Sequence, residues 1–365
     1  MPIQLLDLSD ELLEQIALNL STLHNYQLAL TCKRLAPIAS GRPLYQRINL
    51  CIHGPPKRSV CNLLYDRLEE APQLGNCVRF YSLRISELST GAAPHDISHR
   101  AIADLKLAFL LITRMPRIVE LDLPYIKDSF SQSDFVSECV VLATRATSLK
   151  HVYADGSDHR LPFETILPFF QLPALASITL YDFQLGDVAN HSTESQHFGH
   201  AITHLDIGAI QFTSNDSATM FRSLLVAFPN TQHLRLAYMD GIGTEVILPN
   251  IIEIHPRLTA LEFEGTFCEG QDLGCEDDWL RHFPALKEFT PSGACLNDST
   301  LFYLSPTATL VNLAECDLPI AAQAYAITRW IRDATIKERR TVILPKHDTA
   351  VIESIKVSLF LPRWS

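Results

Sequence analysis

"MPRIVELDL", at residues 115–123, decides the fold, because four more phrases of the same form follow it along the chain. Each phrase has a proline in second place, an apolar or small residue two positions later, and an apolar centre five positions after the proline. The final position is apolar in four of the five phrases. The other four are "LPALASITL" (172–180), "FPNTQHLRL" (228–236), "HPRLTALEF" (255–263) and "FPALKEFTP" (283–291).

Four further phrases lack the proline but keep the apolar centre. From Val152 onward the centres are spaced by 22 to 29 residues, and before it the steps are longer. Units of about 20–29 residues with one short strand each are typical of leucine-rich repeats, which this part of the chain resembles. The nine centres are Leu83, Leu121, Val152, Ile178, Leu205, Leu234, Leu261, Phe289 and Val311.

The alternation of apolar and polar residues around each centre predicts a short strand. Segments between the phrases, such as 96–114, 133–146 and 215–228, have helical apolar spacing, and the proline then ends the helix. Neither element buries its apolar face alone. We therefore expect an α/β fold, a curved solenoid with parallel strands on its concave side and helices on its convex side. It should cover residues 51–318, and a C-terminal helical cap and tail should cover 319–365.

The composition limits the functional classes. Hydrophobic residues make up 47% of the chain and the formal net charge is −11, so we expect a folded protein without a nucleic-acid partner. The longest apolar run, "LAFLLI" (107–112), is too short to span a membrane. The nine cysteines are scattered and never spaced C-x-x-C, and the acidic N-terminus does not resemble a signal peptide. These features favour reduced thiols and a cytoplasmic or nuclear location.

Residues 1–50 precede the repeats and do not share their pattern. Leucines and an isoleucine between positions 12 and 20 share one face of a helix that should begin near Ser9 or Asp10. Asn25 is predicted to cap a second helix, and "CKRLAPIAS" predicts a third. Three short helices cannot bury a sufficient core by themselves. Their remaining apolar face must be covered by a binding partner, or else by the first repeat, which the segment would then cap.

The sequence of this segment closely resembles the F-box of fungal F-box proteins. The resemblance covers residues 5–50 and rests on "LSDELLEQIALNL" (8–20), "ALTCKRLAPIA" (29–39), "PLY" (43–45) and "RINL" (47–50). Ser9 stands where the family usually has proline, and serine is itself a good helix cap.

The resemblance implies a small three-helix domain over residues 1–50 that docks on a Skp-type adaptor and, through it, on a cullin-type ubiquitin ligase. The chain would be the ligase's non-catalytic substrate-recognition subunit, with the repeats holding an unknown target protein. The alternatives are an F-box protein acting outside ubiquitylation and a plain leucine-rich-repeat scaffold. The positions that match the apolar places of the motif are Leu8, Leu12, Leu13, Ile16, Leu20, Leu28, Cys32, Leu35 and Tyr45.

A target is expected on the outward-facing strand positions, which are polar, mildly acidic and interspersed with tyrosine. The alternative is a solvated strand face without a ligand. The candidate target-binding residues are Tyr153, Tyr181, Arg235, Tyr238, Glu262 and Glu264.

The sequence contains no G-x-S-x-G, no phosphate-binding glycine loop and no H-E-x-x-H motif, which leaves no residue set from which to build a catalytic site. The substrate-recognition role implied by the resemblance is itself non-catalytic, and we expect no cofactor. His191, His197, His200 and His204 lie close together in sequence. His204 belongs to a predicted strand and the other three to the polar stretch 182–200, which is predicted to be a loop, so this arrangement is explained better by a solvated loop than by a metal site. The acidic stretch 264–279, which contains Cys268 and Cys275, also lacks a recognised ligand spacing and is predicted to be an exposed insertion.

Overall fold

The structure is a computed structural model that divides into two compact units. The described residues are 5–20, 22–52, 60–85, 99–123, 133–156, 161–185, 199–212, 216–239, 242, 244–264, 278–291, 300–314, 320–332 and 340–343. The first unit comprises residues 1–161 and 165–177, and the second comprises 162–164 and 178–365.

Four parallel strands form the sheet of the first unit, in the order β1-β2-β3-β4. Their buried centres are in register, since Ile48 pairs with Tyr81 and Leu121 pairs with both Tyr81 and Val152. The strands are β1 (Arg47–Ile52), β2 (Phe80–Ile85), β3 (Glu120–Asp122) and β4 (His151–Asp155).

Two features of this sheet differ from the sequence-based expectation. Tyr81, and not the predicted Leu83, is the residue of β2 that pairs with Leu121. Both side chains are buried on the same face because they are two positions apart in a strand, so alternation alone does not distinguish them. The sheet also begins one strand earlier than the phrases indicated, and the predicted domain boundary between residues 50 and 51 falls inside β1.

The second unit repeats the arrangement, with parallel strands in the order β6-β8-β10-β11-β12-β13-β14. Leu205, Leu234, Leu261, Phe289, Val311 and Val342 are aligned across it. A shorter pair, β7 with β9, runs beside it in parallel. The strands, with β5, are β5 (Leu161–Pro162), β6 (Ser177–Tyr181), β7 (Phe183–Leu185), β8 (His204–Gly208), β9 (Gln211–Phe212), β10 (His233–Ala237), β11 (Ala260–Glu264), β12 (Glu288–Thr290), β13 (Leu310–Asn312) and β14 (Thr341–Ile343).

Helices alternate with the strands along the chain, which is the α/β repeat pattern that the phrases predicted. Asp216 caps one helix, since its carboxylate accepts a hydrogen bond from Thr219 N at 3.1 Å. After the N-terminal segment, the α-helices are Val60–Glu70, Pro72–Gly75, His99–Ile112, Ser133–Ala143, Ser217–Val226, Thr244–Ile254 and Ile320–Arg332, and the 3-10 helices are Phe163–Gln171, Trp279–His282 and Thr300–Tyr303.

Parts of two predicted insertions and of the predicted C-terminal cap lie outside the described residues. Residues 186–198, 265–277 and 333–339 lie outside the described residues, as do residues 344–365 of the tail. Where the sequence predicted a loop from residue 182, the structure has β7, whose Phe183 and Leu185 are buried. The single apolar pair in an otherwise polar stretch was too short to indicate a strand.

The residue before each phrase proline is buried, whereas the proline itself is exposed. In four phrases the residue before the proline is apolar, namely Met115, Leu172, Phe228 and Phe283. In the fourth phrase along the chain it is His255. Its Nε2 atom has no hydrogen-bond partner among the described residues. Burial lowers the pKa of His255 to about 4, and a hydrogen bond to the main chain of Leu225 offsets only part of that effect.

His255 should therefore make the second unit sensitive to mild acid. An unfolded histidine takes up a proton near pH 6.5 while the folded one stays neutral to about pH 4, so stability is lost as pH falls through this window. Between pH 7 and 4.5, wild type should lose roughly 2–3 kcal/mol of unfolding free energy more than His255→Leu in urea titrations. His282→Leu, at an exposed histidine, should follow wild type. Identical pH dependence in wild type and His255→Leu would show that His255 has no such effect.

Candidate functional site

The N-terminal segment consists of short helices that the sequence largely anticipated. They are a 3-10 turn at Leu5–Asp7 followed by α-helices Asp10–Leu18, Thr22–Thr31, Leu35–Ser40 and Arg42–Tyr45. Ser9 caps the first α-helix, with its hydroxyl 3.4 Å from Leu12 N. Serine at this position therefore gives a well-formed helix start.

Arg34 ties the beginning of this segment to the turn between its second and third α-helices. Its Nη2 donates to Asp10 Oδ1 and to Leu8 O, each at 2.8 Å, and Nη1 donates to Leu6 O. One guanidinium thus holds the first turn of chain at three places, using the fork geometry that arginine provides. The lysine before it, Lys33, makes no comparable contact among the described residues.

Asn25 has a different role from the predicted helix cap. It lies inside the helix Thr22–Thr31, and its buried side-chain amide donates to Ala17 O at 2.9 Å and Leu20 O at 3.4 Å. It therefore satisfies carbonyls at the end of the preceding helix. Sequence spacing favoured a cap because asparagine is common at helix starts. In the structure, the packing of two helices places the Asn25 side chain against the end of the preceding helix.

Burial separates the predicted adaptor-binding residues into groups. Leu13 and Leu35 are buried and belong to the small core of the segment, whereas Leu12 and Ile16 are exposed. Leu8, Leu20, Leu28, Cys32 and Tyr45 are half-buried. Further exposed apolar residues that the motif match did not single out are Leu5, Leu6, Leu23, Tyr26 and Leu30. Exposed apolar side chains on adjacent helical turns are the property that could have identified them.

The second unit carries a charged cluster on the outward positions of its strands, with Arg235 of β10 at its centre. Arg235 Nη1 donates to Asp206 Oδ2 at 2.8 Å, Nη2 donates to Glu264, and Nε lies 3.4 Å from Glu262 Oε1. Tyr181 adds a hydroxyl hydrogen bond to Asp206 Oδ1 at 3.3 Å. One cation thus faces three carboxylates, which leaves the cluster with an excess of two negative charges if all are ionised.

Partial burial shifts the pKa values of these groups. Burial raises the pKa of Asp206 against the opposing attraction of Arg235, and it raises the pKa of Glu262 in the same way. Burial is the largest single effect on Arg235 and lowers its pKa, but Asp206, Tyr181 and Glu264 together outweigh it, so the net pKa is raised. The pKa of Tyr181 is raised, first by burial and then by the charge of Asp206. The guanidinium therefore stays charged, and it is the carboxylates that respond to pH.

Gly208 of β8 allows the Tyr181 ring to lie across the strand. A Cβ atom at position 208 would be 2.3 Å from Cε1 and 2.6 Å from Cδ1 of that ring, far inside van der Waals contact. Because Gly208 and Asp206 are two positions apart on β8, the ring crosses the glycine and brings its hydroxyl to the carboxylate.

Each of three consecutive strands is followed by a residue in the left-handed backbone region. They are Asp182, Ala209 and Tyr238, with φ of 57°, 50° and 49°. Each N–H donates to a carbonyl of the next strand, at Gly208, Ala237 and Glu264 respectively, over 3.0 to 3.1 Å. The turn leaves Tyr238 exposed beside the cluster's strands. Non-glycine residues in this region are strained, and the repeated hydrogen bond holds them there.

The structure places five of the six candidate target-binding residues on β6, β10 and β11 or immediately after β10. Tyr181, Arg235, Tyr238, Glu262 and Glu264 belong to the second unit, while the exposed Tyr153 lies on β4 of the first. Asp206 and Gly208 were not chosen from the sequence, although both occupy outward strand columns. Beside the cluster, the rings of His204 and His233 stack with centroids 4.0 Å apart.

The described residues contain no group of three or more histidine, cysteine or acidic side chains arranged to hold a metal ion. His191, His197, Cys268 and Cys275 lie outside them. Within the same described ranges, no helix combines the length and the hydropathy that a membrane crossing requires.

Comparison with known proteins found similarity only at the level of structure. No protein-family model and no curated protein matches this sequence. The leucine-rich-repeat-containing protein LegL7 from Legionella pneumophila is 14% identical with a TM-score of 0.44, over 86% of this chain and 97% of that one. An internalin, inlF, from Listeria monocytogenes is 11% identical with a TM-score of 0.39, over 95% of this chain and 92% of that one. The repeat arrangement itself is established by the strand pairing of this chain.

Replacing Gly208 by alanine should displace the Tyr181 ring and destabilise the second unit by about 1–3 kcal/mol. In the Tyr181→Ala background the same substitution should cost much less, because the ring it would strike is gone. Urea unfolding of wild type, both single variants and the double variant measures this coupling. Equal costs of Gly208→Ala in the two backgrounds would contradict the packing described here.

Replacing Arg235 by glutamine should lower the free energy of unfolding at pH 7 by about 1–2 kcal/mol, allowing for solvent screening at this partly exposed site. This loss of unfolding free energy should become smaller towards pH 4. The pKa values of Asp206 and Glu262 are raised, so their protonation relieves the repulsion among the carboxylates that have lost the Arg235 charge. Arg222→Gln is the matched control, since Arg222 pairs with Glu253 on exposed helices and should cost less. A deficit that does not vary with pH would rule out carboxylate repulsion as its cause.

Proposed function

We propose that this protein is a non-catalytic, protein-binding repeat scaffold that serves as the substrate-recognition subunit of a cullin-type ubiquitin ligase. Its N-terminal helices bind a Skp-type adaptor, and the strand face around Arg235 binds a target protein. It works by holding the target near the transfer machinery, which is a proximity effect. It uses no cofactor and acts in the cytoplasm or nucleus.

The observation that carries the proposal is the apolar surface of the N-terminal helices. Large apolar side chains that are exposed and concentrated in one short segment typically mark an interaction site. The segment combines this surface with the sequence "TCKRL" (31–35) of the F-box resemblance, and Arg34 of that sequence holds the first turn in place. The exposed large apolar residues are Leu5, Leu6, Leu12, Ile16, Leu23, Tyr26 and Leu30.

The strand face supports the target-binding half of the proposal by its chemistry. An excess of carboxylates around Arg235 and the exposed ring of Tyr238 suit a target segment that offers basic and apolar side chains. The net charge of −11 favours a protein partner over a nucleic acid. An F-box protein acting outside ubiquitylation would use the same two surfaces, and the two candidates differ only in whether the bound target is turned over.

The adaptor contact is tested by pull-down of purified Skp-type adaptor with wild type and with Leu12→Asp/Ile16→Asp. Both side chains are exposed, so the variant should stay folded by circular dichroism while a charge placed in an apolar contact abolishes binding. We expect a loss of at least about thirtyfold in affinity, as for the truncation of a central anchor.

The matched control is Val141→Asp/Val226→Asp, which places the same charges at exposed apolar positions on other helices. Leu12 is 53% exposed and Val141 is 52% exposed, so the variants perturb solvation to a similar extent. The control should bind the adaptor as wild type does. If wild type itself does not bind, the ligase assignment fails, and residues 1–50 are a cap on a scaffold.

A further inference from the structure

The turns that lead into β2, β3 and β4 lie side by side at one edge of the first unit's sheet. Arg79 O accepts hydrogen bonds from two consecutive N–H groups where β3 begins, and Val119 O does the same where β4 begins. Side chains also join the turns, since Arg79 Nη1 donates to Arg117 O at 3.2 Å. Ser148 Oγ lies 2.8 Å from two carbonyl oxygens of the preceding turn. The three turns are residues 76–79, 113–119 and 144–150.

Every charged side chain within these three turns is a cation. In a chain of net charge −11, the turns contain no aspartate or glutamate. We call this surface the basic edge, and its cations are Arg79, Arg114, Arg117, Arg145 and Lys150.

Two carboxylates stand beside the basic edge. Glu69 lies 3.6 Å from Arg114 Nη2, and Glu120 is the exposed first residue of β3. Glu70 follows Glu69 but pairs with Arg67 of its own helix at 3.6 Å. Five cations against two carboxylates leave the basic edge with an excess of three positive charges.

Most of this charge is accessible. Arg117, Arg145 and Lys150 are exposed, and their side chains form no hydrogen bond or ion pair within the described ranges. The Arg79 guanidinium donates only to main-chain carbonyls, which position it without cancelling its charge. Arg114 is 44% exposed even while it pairs with Glu69.

The helix dipole explains only part of this pattern. Arg114 and Arg145 follow closely after the helices His99–Ile112 and Ser133–Ala143, where a cation is favourable. Arg117 and Lys150 lie beyond the last turn of those helices, where the effect of the dipole has fallen off. A binding role for the basic edge accounts for all of its cations.

We propose that the basic edge binds a short acidic segment of a partner protein. Neighbouring strands are about 4.8 Å apart, so three adjacent turns span about 10 Å, which three or four extended residues cover. A long polyanion would run past the edge onto a chain of opposite charge preference, since the whole protein is acidic. Arginine suits carboxylate oxygens because its planar fork can donate two parallel hydrogen bonds. This interaction goes beyond the proposed function and does not depend on it.

The proposal is tested by fluorescence anisotropy with the full-length protein and a labelled hexapeptide of alternating aspartate and glutamate. We expect a dissociation constant of about 100 μM or below in about 50 mM salt. Binding should weaken at least about tenfold in about 500 mM salt, because exposed charges are screened. The matching peptide of asparagine and glutamine should also bind at least about tenfold more weakly.

Variants locate the contact on the molecule. Arg117→Gln/Lys150→Gln should weaken binding about tenfold and stay folded by circular dichroism, since both side chains are exposed. Arg257→Gln/Lys287→Gln is the matched control and should bind as wild type does. It removes an arginine after the phrase proline and a lysine before a strand, as the test variant does, but in the second unit.

Three results would overturn the proposal. They are no binding of the acidic peptide by wild type, an equal loss of binding in the two double variants, and tighter binding of another polyanion. The last is measured with an oligothymidylate of equal charge and with phosphatidylserine vesicles, which stand for nucleic acid and membrane. Leu12→Asp/Ile16→Asp should bind the peptide as wild type does, so this proposal and the adaptor contact fail separately.

Discussion

The strand ladder depends on a shared carbonyl, which is found at eight of its described steps. The residue immediately before a strand offers its C=O to two consecutive N–H groups of a following repeat, at 2.7 to 3.1 Å. A carbonyl oxygen has two lone pairs, so it can accept both hydrogen bonds. A single carbonyl therefore fixes the residue at which the next strand begins. Register follows directly, and apolar centres are brought level with one another. These carbonyls belong to Gln46, Arg79, Val119 and Lys150 in the first unit and to Thr203, Gln232, Thr259 and Lys287 in the second.

The same register creates the charged cluster on the outward face. Asp206, Arg235 and Glu262 pair across β8, β10 and β11, and Gly208 and Glu264 lie in the row two positions on. Residues that are about 28 positions apart in sequence become direct neighbours, and the cation stands between the carboxylates. The left-handed residues that follow β6, β8 and β10 add one more main-chain hydrogen bond to the next strand of the sheet. The face is therefore a consequence of the core alignment, with its side chains at the positions that alternation leaves outside.

The N-terminal segment is organised by different contacts. Asn25 and Arg34 satisfy main-chain carbonyls between its helices, so polar groups fix the arrangement while the small core holds only a few side chains such as Leu13 and Leu35. Apolar side chains that such a small core cannot take in are left on the surface. This is the physical basis for proposing a protein partner for that surface, separately from the strand face.

The sequence by itself determined the repeats, the type of most elements and the polar columns of the strands, because a fixed step between apolar centres requires strands and helices to alternate. Ser9 as a helix cap and Arg235 as a candidate residue were also accessible, since local chemistry and alternation decide them. Only the tertiary structure decided that Tyr81 aligns with Leu121, that Tyr181 crosses Gly208 to reach Asp206, and that Asn25 serves the end of the preceding helix. These outcomes depend on which residues of distant segments meet, and period and propensity carry no information about that.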